Sequence, residues 1–437
     1  MKRLIGAALG AAALFAAVPA FAETTLTIAT VNNGDMIRMQ GLTSDFETKN
    51  PDIKLKWVTL EENVLRQKVT TDIATKGGQF DVLTIGTYEV PIWAKKKWLV
   101  PLDKLPADYD VGDLLPKIRD ALSVDGTLYA APFYGESSFV MYRTDLMKKA
   151  GLTMPESPTW DFIIKAAKAM TDKANDVYGI CLRGKAGWGE NMAFLTAMSN
   201  SFGARWFDEK WEPQFNSPEW KKTLTTYVNL MKEAGPPGAS SNGFNENLTL
   251  FQQGKCGMWI DATVAGSFVT DPKASTVADK VGFALAPNKQ GIDKRANWLW
   301  SWALAIPAGS KKVAAAEKFI DWATSKHYLE LVASKDGWAN VPPGTRTSLY
   351  KNPEYLKAPF AKMTLASIEA ADPQHPTVQP VPYTGVQFVA IPEFQGLGDT
   401  VGQIFSAALA GQTSVDDALK QAQDTATRVM TKAGYIK

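Results

Sequence analysis

The order of strands and helices in the first hundred residues most constrains the fold of this chain. Apolar residues recur at helical spacing over 36–46 and 64–74, and each stretch lies between two short hydrophobic runs typical of strands. The three runs are TLTIATV (25–31), IKLKWVTL (53–60) and DVLTIG (81–86). Strands and helices that alternate in this way predict a parallel sheet with helices on its faces.

Three loops follow these predicted strands and are the first candidates for a binding site. In open parallel sheets, ligands bind in the loops beyond the carboxyl ends of the strands. The loops at those ends cover residues 32–35, 60–63 and 87–90. We therefore expect a ligand to lie against this edge of the sheet.

The remainder of the chain is longer than a single domain requires. Its predicted helices cover 161–171, 191–202, 217–234 and 415–433, and its predicted strands cover 257–262 and 281–287. Without the first 22 residues, 437 − 22 = 415 residues remain, which is more than one hydrophobic core usually organises. The sequence therefore predicts two domains of the α/β class.

The N-terminus has the pattern of a secretory signal peptide. Lys2 and Arg3 precede an apolar run over 4–18, and the run ends in Ala20-Phe21-Ala22. The run is too short for a comfortable membrane span, which disfavours a membrane anchor. Cleavage after Ala22 leaves no cysteine at the new terminus, so we expect an exported periplasmic protein without a lipid anchor.

The charge balance argues against nucleic acid as a partner. Removal of Lys2 and Arg3 leaves 47 − 2 = 45 basic residues, against 45 acidic residues. A chain without net charge has no general attraction for nucleic acid or for an anionic membrane.

Cysteine and histidine are scarce. The two cysteines, Cys181 and Cys256, can form a disulfide in an oxidising compartment or remain as two buried thiols, and their spacing does not decide between these states. The two histidines, His327 and His375, lie in unrelated contexts, which disfavours a histidine metal site or a Ser-His-Asp triad. We predict no metal and no cofactor.

Several segments, in chain order, carry a family resemblance. They are DFETKNPDIKLKW (45–57), DVLTIGTYEVPIWAKKKWLVPLD (81–103), DGTLYAAPFYGESSFVMYRTDLMKKAGL (125–152), LFQQGKCGMWID (250–261) and FIDWATSKHYLELVASKDGWANVPPGTR (319–346). Together they resemble the extracellular solute-binding proteins of ABC sugar importers, the family that includes maltose-binding protein. The segments 32–40, 87–93 and 133–143 are most similar to its sorbitol- and mannitol-binding branch.

The resemblance implies two α/β lobes that close on a polyol or sugar in the cleft between them. It places lobe one at 23–134 plus 302–342 and lobe two at 137–298 plus 346–437. Hinge crossings are then expected near 135–136, 299–301 and 343–345. The resemblance also implies a monomer that hands its ligand to the membrane subunits of an ABC permease.

The candidate ligand-binding residues combine charged and aromatic side chains. Charged groups make strong hydrogen bonds to the hydroxyls of a polyol, and aromatic rings cover its C–H faces. The resemblance, together with the loop positions, indicates Asn33, Asp35, Tyr88, Glu89, Tyr134, Glu136, Arg183, Trp188, Asp261 and Arg346. Ordinary turn chemistry is an alternative for Asn33 and Asp35, a solvated loop charge for Glu89, and a loop anchor for Trp188.

A row of tryptophans adds to this set. Trp298, Trp300 and Trp302 alternate along the sequence, so on a strand their indoles share one face. The resemblance places the row where the chain crosses the cleft. We expect Trp298 and Trp300 to face the ligand and Trp302 to belong to the core.

Two other functions fit the same residues. An exported carbohydrate-active enzyme could use paired carboxylates such as Glu136 and Asp261 on a glycosidic bond. A carrier with an oligosaccharide as its ligand is the second alternative. The ordered resemblance favours a carrier of a polyol or small sugar that performs no chemistry.

Overall fold

The computed structural model describes residues 23–437, so the predicted signal peptide over 1–22 lies outside the described residues. The strands are β1 (Thr24–Val31), β2 (Ile53–Leu60), β3 (Val82–Ile85), β4 (Ser123–Val124), β5 (Thr127–Leu128), β6 (Ala131–Glu136), β7 (Ser138–Arg143), β8 (Met258–Ala262), β9 (Val281–Leu285) and β10 (Trp300–Ala305). The helices are α1 (Gly34–Gly41), α2 (Thr43–Lys49), α3 (Glu62–Thr75), α4 (Glu89–Lys95), α5 (Pro116–Ala121), α6 (Thr144–Lys149), α7 (Trp160–Met170), α8 (Asn191–Ser201), α9 (Pro218–Ala234), α10 (Phe244–Gln252), α11 (Ala265–Val269), α12 (Val313–Thr324), α13 (Lys326–Asp336), α14 (Ala361–Ala370), α15 (Phe394–Leu409) and α16 (Val415–Ala433).

The first lobe is built on a five-stranded sheet in the order β2-β1-β3-β10-β6. Strand β1 runs parallel to β2 and β3, as the alternating pattern predicts. Strand β10 is antiparallel to β3 and β6, so the sheet is mixed rather than wholly parallel. The predicted first helix is divided into α1 and α2 at Leu42, whose backbone leaves the helical conformation. Asn32, Asn63 and Tyr88, which follow β1, β2 and β3, contact Asn245, Ala186 and Trp188 of the second lobe.

The second lobe is built on an antiparallel sheet in the order β8-β7-β9. Every residue of α8 is buried, and this helix packs between α9 and α15. A disulfide joins Cys181 to Cys256, with their Cα atoms 5.8 Å apart, which settles the alternative that the sequence leaves open. Among residues 23–437, no helix is both long and apolar enough to cross a membrane.

The chain passes between the two sheets through a tightly packed region. Strand β6 continues into β7 through Ser137 alone. Beside it, the Gly135 N–H donates to the carbonyl of Pro343, at 2.9 Å. A Cβ atom on Gly135 or on Gly344 would collide with the carbonyl oxygen of the other residue, and Gly344 has a φ of +70°. Glycine at both positions therefore lets two connecting segments run in contact.

Candidate functional site

A cavity lies between the two sheets, beyond the carboxyl ends of β1 and β2 and beside the start of β10. Its wall mixes carboxyl, guanidinium, amide and phenol groups with aromatic rings. The lining residues are Asn33, Glu62, Arg66, Tyr134, Glu136, Arg183, Trp188, Gly189, Ala193, Phe244, Ala262, Val264, Trp298, Trp300, Trp302 and Gln387.

Glu136 ends β6 and pairs with Trp300 across the sheet. The residue is only 5 % exposed, and its carboxyl group makes no hydrogen bond to another group in residues 23–437. Burial raises the pKa of this carboxyl well above its ordinary value, while Arg183 opposes that change. Burial thus favours the protonated form of Glu136, which faces the cavity and in that form can both donate and accept a hydrogen bond.

Arg183 reaches the cavity from the second lobe and is held there by Asp261. Its Nε lies 2.9 Å from Asp261 Oδ2, and its Nη2 lies 2.7 Å from Asp261 Oδ1. Trp259 Nε1 also donates to Asp261, at 3.0 Å. Asp261 is fully buried behind the arginine and does not line the cavity. Asp261 therefore positions Arg183 and does not itself face the cavity, whereas the resemblance implies a direct contact with the ligand.

Arg66 comes from α3 and is fixed by two carboxylates. Its Nη2 lies 2.8 Å from Glu62 Oε1, and its Nη1 lies 3.0 Å from Glu89 Oε1. Glu89 also accepts a hydrogen bond from the Gly86 N–H, at 2.9 Å. Glu89 is thus a buried partner of Arg66, outside the cavity lining. Neither a solvated loop charge nor a direct ligand contact describes its position.

Two tryptophans of the row pack against this guanidinium. The guanidinium carbon of Arg66 lies 4.8 Å from the ring centroid of Trp300 and 4.6 Å from that of Trp302. The two indoles are 5.4 Å apart, edge to face. All three tryptophans of the row line the cavity, including Trp302, which the sequence assigns to the core. The change from cavity wall to core falls after Trp302, where the pairing of β10 with β6 also shifts in register.

Asn33 and Tyr134 form a polar pair on the cavity wall. The Asn33 side-chain amide donates to the hydroxyl of Tyr134, at 2.8 Å, and both residues are buried. Asp35, two residues further on, turns away from the cavity and pairs with Arg38. Burial raises the pKa of Asp35 to about 6, against the opposing charge of Arg38.

Tyr88 and Arg346 lie outside the cavity. The Tyr88 hydroxyl donates to the carbonyl of Ile391, at 2.9 Å, and accepts from the Gln395 N–H, at 3.2 Å. Arg346 is fully buried on the other side of its connecting segment, where it donates to the carbonyls of Asp110 and Thr324. The long, charged side chain of Arg346, at the boundary of the predicted second lobe, is therefore bound to Asp110 and Thr324 of the first lobe and does not reach the cleft.

Several residues of the cavity wall were not predicted from the sequence, and they differ in how far a sequence pattern could have indicated them. Glu62 belongs to the predicted ligand loop 60–63, so its position was available. Arg66 occupies an ordinary site on a predicted helix, which carries no signal of its own. Gln387 lies in a long segment without periodicity, and its side chain bonds both the N–H and the carbonyl of Leu299. Phe244 lies at the start of α10 and belongs to no sequence motif that indicates a binding role.

Contacts between the lobes close the mouth of the cavity. Lys185 Nζ lies 2.6 Å from Glu61 Oε1, and the Asn63 amide donates to the carbonyl of Ala186, at 3.1 Å. The structure is thus a closed form, in which the wall residues are shielded from solvent. Within residues 23–437 there is no group of three or more metal-ligating side chains suited to hold a metal ion.

Comparisons with known proteins agree with this geometry. Residues 33–328 match the family model of the bacterial extracellular solute-binding proteins. The mannitol-binding protein of Pseudomonas aeruginosa is 59% identical over 437 residues, and the match covers 100% of both chains. An ABC transporter solute-binding protein from Agrobacterium vitis, solved with bound D-mannitol, is 76% identical with a TM-score of 0.94, over 95% of this chain and 100% of that one. A solute-binding protein of Agrobacterium radiobacter, solved with ribitol, is 27% identical with a TM-score of 0.82, over 94% of this chain and 99% of that one.

Proposed function

Because the chain belongs to the bacterial extracellular solute-binding protein family, we propose that it captures a hexitol of the mannitol type for an ABC importer. The ligand lies in the cavity between the two sheets. The lobes close around it, and the closed form delivers it to the membrane permease.

The composition of the cavity wall carries this proposal. A hexitol has a hydroxyl on every carbon and C–H groups between them, so it needs many hydrogen-bonding partners and some apolar cover. Glu136, Arg183 and the Asn33–Tyr134 pair supply polar groups from both lobes. Trp298 and Trp300 supply aromatic faces that cover C–H groups and exclude water.

The two polyol-bound relatives support the same ligand class. One binds D-mannitol and the other ribitol, and both are acyclic, neutral polyols. The protein with D-mannitol shares 76% of its residues with this chain, so a hexitol is the better choice for the ligand. D-Mannitol is accordingly the first compound to test.

A carrier fits the cavity better than a glycosidase does. Two carboxyl groups that cleave a glycosidic bond must both face the substrate. Glu136 faces the cavity, whereas Asp261 is fully buried and fully engaged by Arg183. The proposed pair of catalytic carboxylates therefore lacks one member, and we assign no catalysis to the site.

The cellular setting follows from the family and from the sequence. We propose that the signal peptide is cleaved after Ala22 and that the mature monomer acts in the periplasm. Its lobes then comprise 23–134 plus 302–342 and 137–298 plus 346–437. The permease is its protein partner, and no nucleic acid takes part.

A thermal-shift panel tests the proposal. The mature protein is melted with hexitols, pentitols, monosaccharides and maltose, each well above the expected Kd. A ligand that binds only the folded form at 100 times its Kd should add about 2.7 kcal/mol to the free energy of unfolding. A clear shift with D-mannitol and none with maltose supports a polyol carrier, whereas a shift with maltose alone supports the oligosaccharide carrier.

A further inference from the structure

The cavity and its surroundings contain more carboxyl groups than basic groups to match them. Each of the two buried arginines of the cavity wall already has two carboxyl partners: Glu62 and Glu89 for Arg66, and Asp261 and Glu190 for Arg183. Lys185 lies 2.6 Å from Glu61 and 3.8 Å from Glu190, and it does not line the cavity. A further carboxyl group in this space therefore has no cation of its own.

Glu136 is that further carboxyl group. It is 5 % exposed, faces the cavity, and has no hydrogen-bond partner within residues 23–437. The charged groups whose fields act on its carboxyl come from both lobes, and they are Arg183, Asp261, Glu62 and Arg66. An ionised carboxylate without a partner is costly to bury, which is why its pKa is raised. A ligand that brought a positive charge would supply the missing partner.

We propose that the cavity also binds a cationic amino polyol, a hexitol with one terminal hydroxyl replaced by an ammonium group, and that this ammonium donates to the Glu136 carboxylate. The proposal rests on the proposed function, because the rest of the polyol chain uses the same wall. Ammonium–carboxylate hydrogen bonds are stronger than those between neutral groups. The indole of Trp300, paired with Glu136 across the sheet, adds an aromatic face that attracts a cation.

The proton balance of this binding is simple. In the closed cavity without a cation, burial favours the protonated form of Glu136. When the ammonium form of the ligand binds, the ionised carboxylate is favoured instead, the proton goes to the solvent, and a neutral ion pair remains. A neutral hexitol causes no such release, since the Glu136 carboxyl can bond its hydroxyls while protonated.

Calorimetric titration of the mature protein tests the proposal with three compounds. They are D-mannitol, 1-deoxy-D-mannitol and 1-amino-1-deoxy-D-mannitol, which differ only in one terminal group. We expect the amine to bind about 10- to 100-fold more tightly than the 1-deoxy compound. Titration in two buffers of different ionisation enthalpy should show that binding of the amine leaves fewer protons on the protein than binding of D-mannitol does, by up to about one.

A variant pair locates the effect. Glu136→Gln keeps a hydrogen-bonding side chain but cannot form an ion pair, so the amine should lose its advantage while D-mannitol loses less than about tenfold. Glu47→Gln removes a carboxylate of α2 that pairs with Lys54, outside the cavity lining, and should alter neither ligand. If Glu136→Gln does not fold, the proton count on the unaltered protein decides.

The outcomes separate this inference from the proposed function. Binding of D-mannitol without binding of the amine, or equal losses for both in Glu136→Gln, overturns the inference alone. Binding of the amine without D-mannitol supports the inference and contradicts a neutral hexitol as the ligand. Failure of both compounds overturns both proposals.

Discussion

Arg66 and Trp188 meet across the two lobes, with the guanidinium carbon of Arg66 4.0 Å from the ring centroid of Trp188. Arg66 belongs to α3 on the first lobe, and Trp188 belongs to the loop before α8 on the second. A guanidinium stacked on an indole is an attractive contact, and it is stronger when water is excluded. This contact therefore stabilises the closed form directly beside the cavity.

Loss of Arg66 should destabilise the protein. In Arg66→Met, Glu62 and Glu89 lose their shared cation while both remain buried. We expect the free energy of unfolding, measured by urea titration, to fall by about 3–5 kcal/mol. Arg119→Met is the control, because partly exposed Arg119 pairs only with its exposed neighbour Asp120, and it should cost less than about 1 kcal/mol. Similar costs for both variants would contradict the role given to Arg66.

Loss of the Tyr88 hydroxyl should weaken ligand binding from outside the cavity. This hydroxyl links the loop after β3 to Ile391 and Gln395, and Tyr88 does not line the cavity. Tyr88→Phe should therefore favour the open form and raise the Kd about two- to tenfold in calorimetry. In the control Tyr227→Phe, the lost bond to the Arg183 carbonyl lies within the second lobe. Tyr227→Phe should lower the stability of the protein. An unchanged Kd for Tyr88→Phe would show that the hydrogen bonds of the Tyr88 hydroxyl do not contribute to closure of the lobes.

Two tryptophans of the row should respond differently to truncation. Trp302 lies inside β10 and packs against Trp300 and Arg66, so Trp302→Ala should cost about 3–5 kcal/mol of stability. Trp298 precedes the strand and borders the cavity near Arg183, so Trp298→Ala should chiefly raise the Kd, by about tenfold or more. The variants are melted without ligand and titrated with D-mannitol. The assignment fails if Trp298→Ala loses as much stability as Trp302→Ala and still binds normally.

Stability should fall as the pH rises from weakly acidic to weakly alkaline values. Burial and then the charge of Glu62 raise the pKa of Glu190 to about 8, against about 4.3 in an unfolded chain. Between these values the folded form holds a proton that the unfolded form has lost, so the free energy of unfolding decreases with pH. Urea titrations at pH 5, 6.5 and 8 should show this slope, and Glu190→Gln should reduce it. An identical slope in both proteins would remove Glu190 as its source.

The disulfide should matter for stability and not for binding. Cys181 and Cys256 are separated by 75 residues in sequence and lie in the second lobe, away from the cavity lining. Replacing both by serine releases a long loop in the unfolded chain, which should cost about 4 kcal/mol. The Kd for D-mannitol should remain within about twofold where the variant is folded. A large change in Kd at unchanged stability would contradict this separation.

The family resemblance in the sequence predicts the two-lobed α/β fold, and this prediction is confirmed. The parallel part of the first sheet also has a physical basis in the sequence, because alternating strand and helix periods over 25–86 admit few arrangements other than helices on a parallel sheet. The antiparallel pairing of β10 could not be predicted in this way, because its partners β3 and β6 lie far from it in sequence. The same holds for the disulfide, because its two cysteines are 75 residues apart in sequence.

The site could be predicted in part. Glu136, Arg183 and the tryptophan row combine an unusual residue type with a position at a crossing or loop, and all of them line the cavity. Arg346 shares those features, but its side chain lies on the opposite side of its segment, against Tyr109. Arg66 lies on an ordinary helix, and only the folded chain brings it among three indoles. Local sequence patterns do not determine which way a side chain points from an irregular segment. They also do not determine which residues distant in sequence become its neighbours.

Calorimetric titration of the ligand-free mature protein with D-mannitol tests the central claim most directly. The cavity between the lobes predicts saturable binding at one site per chain, with a Kd in the micromolar range or below, which corresponds to about −8 kcal/mol or more favourable. Absence of saturable heat with D-mannitol and other hexitols, together with saturable binding of an oligosaccharide, would contradict the account.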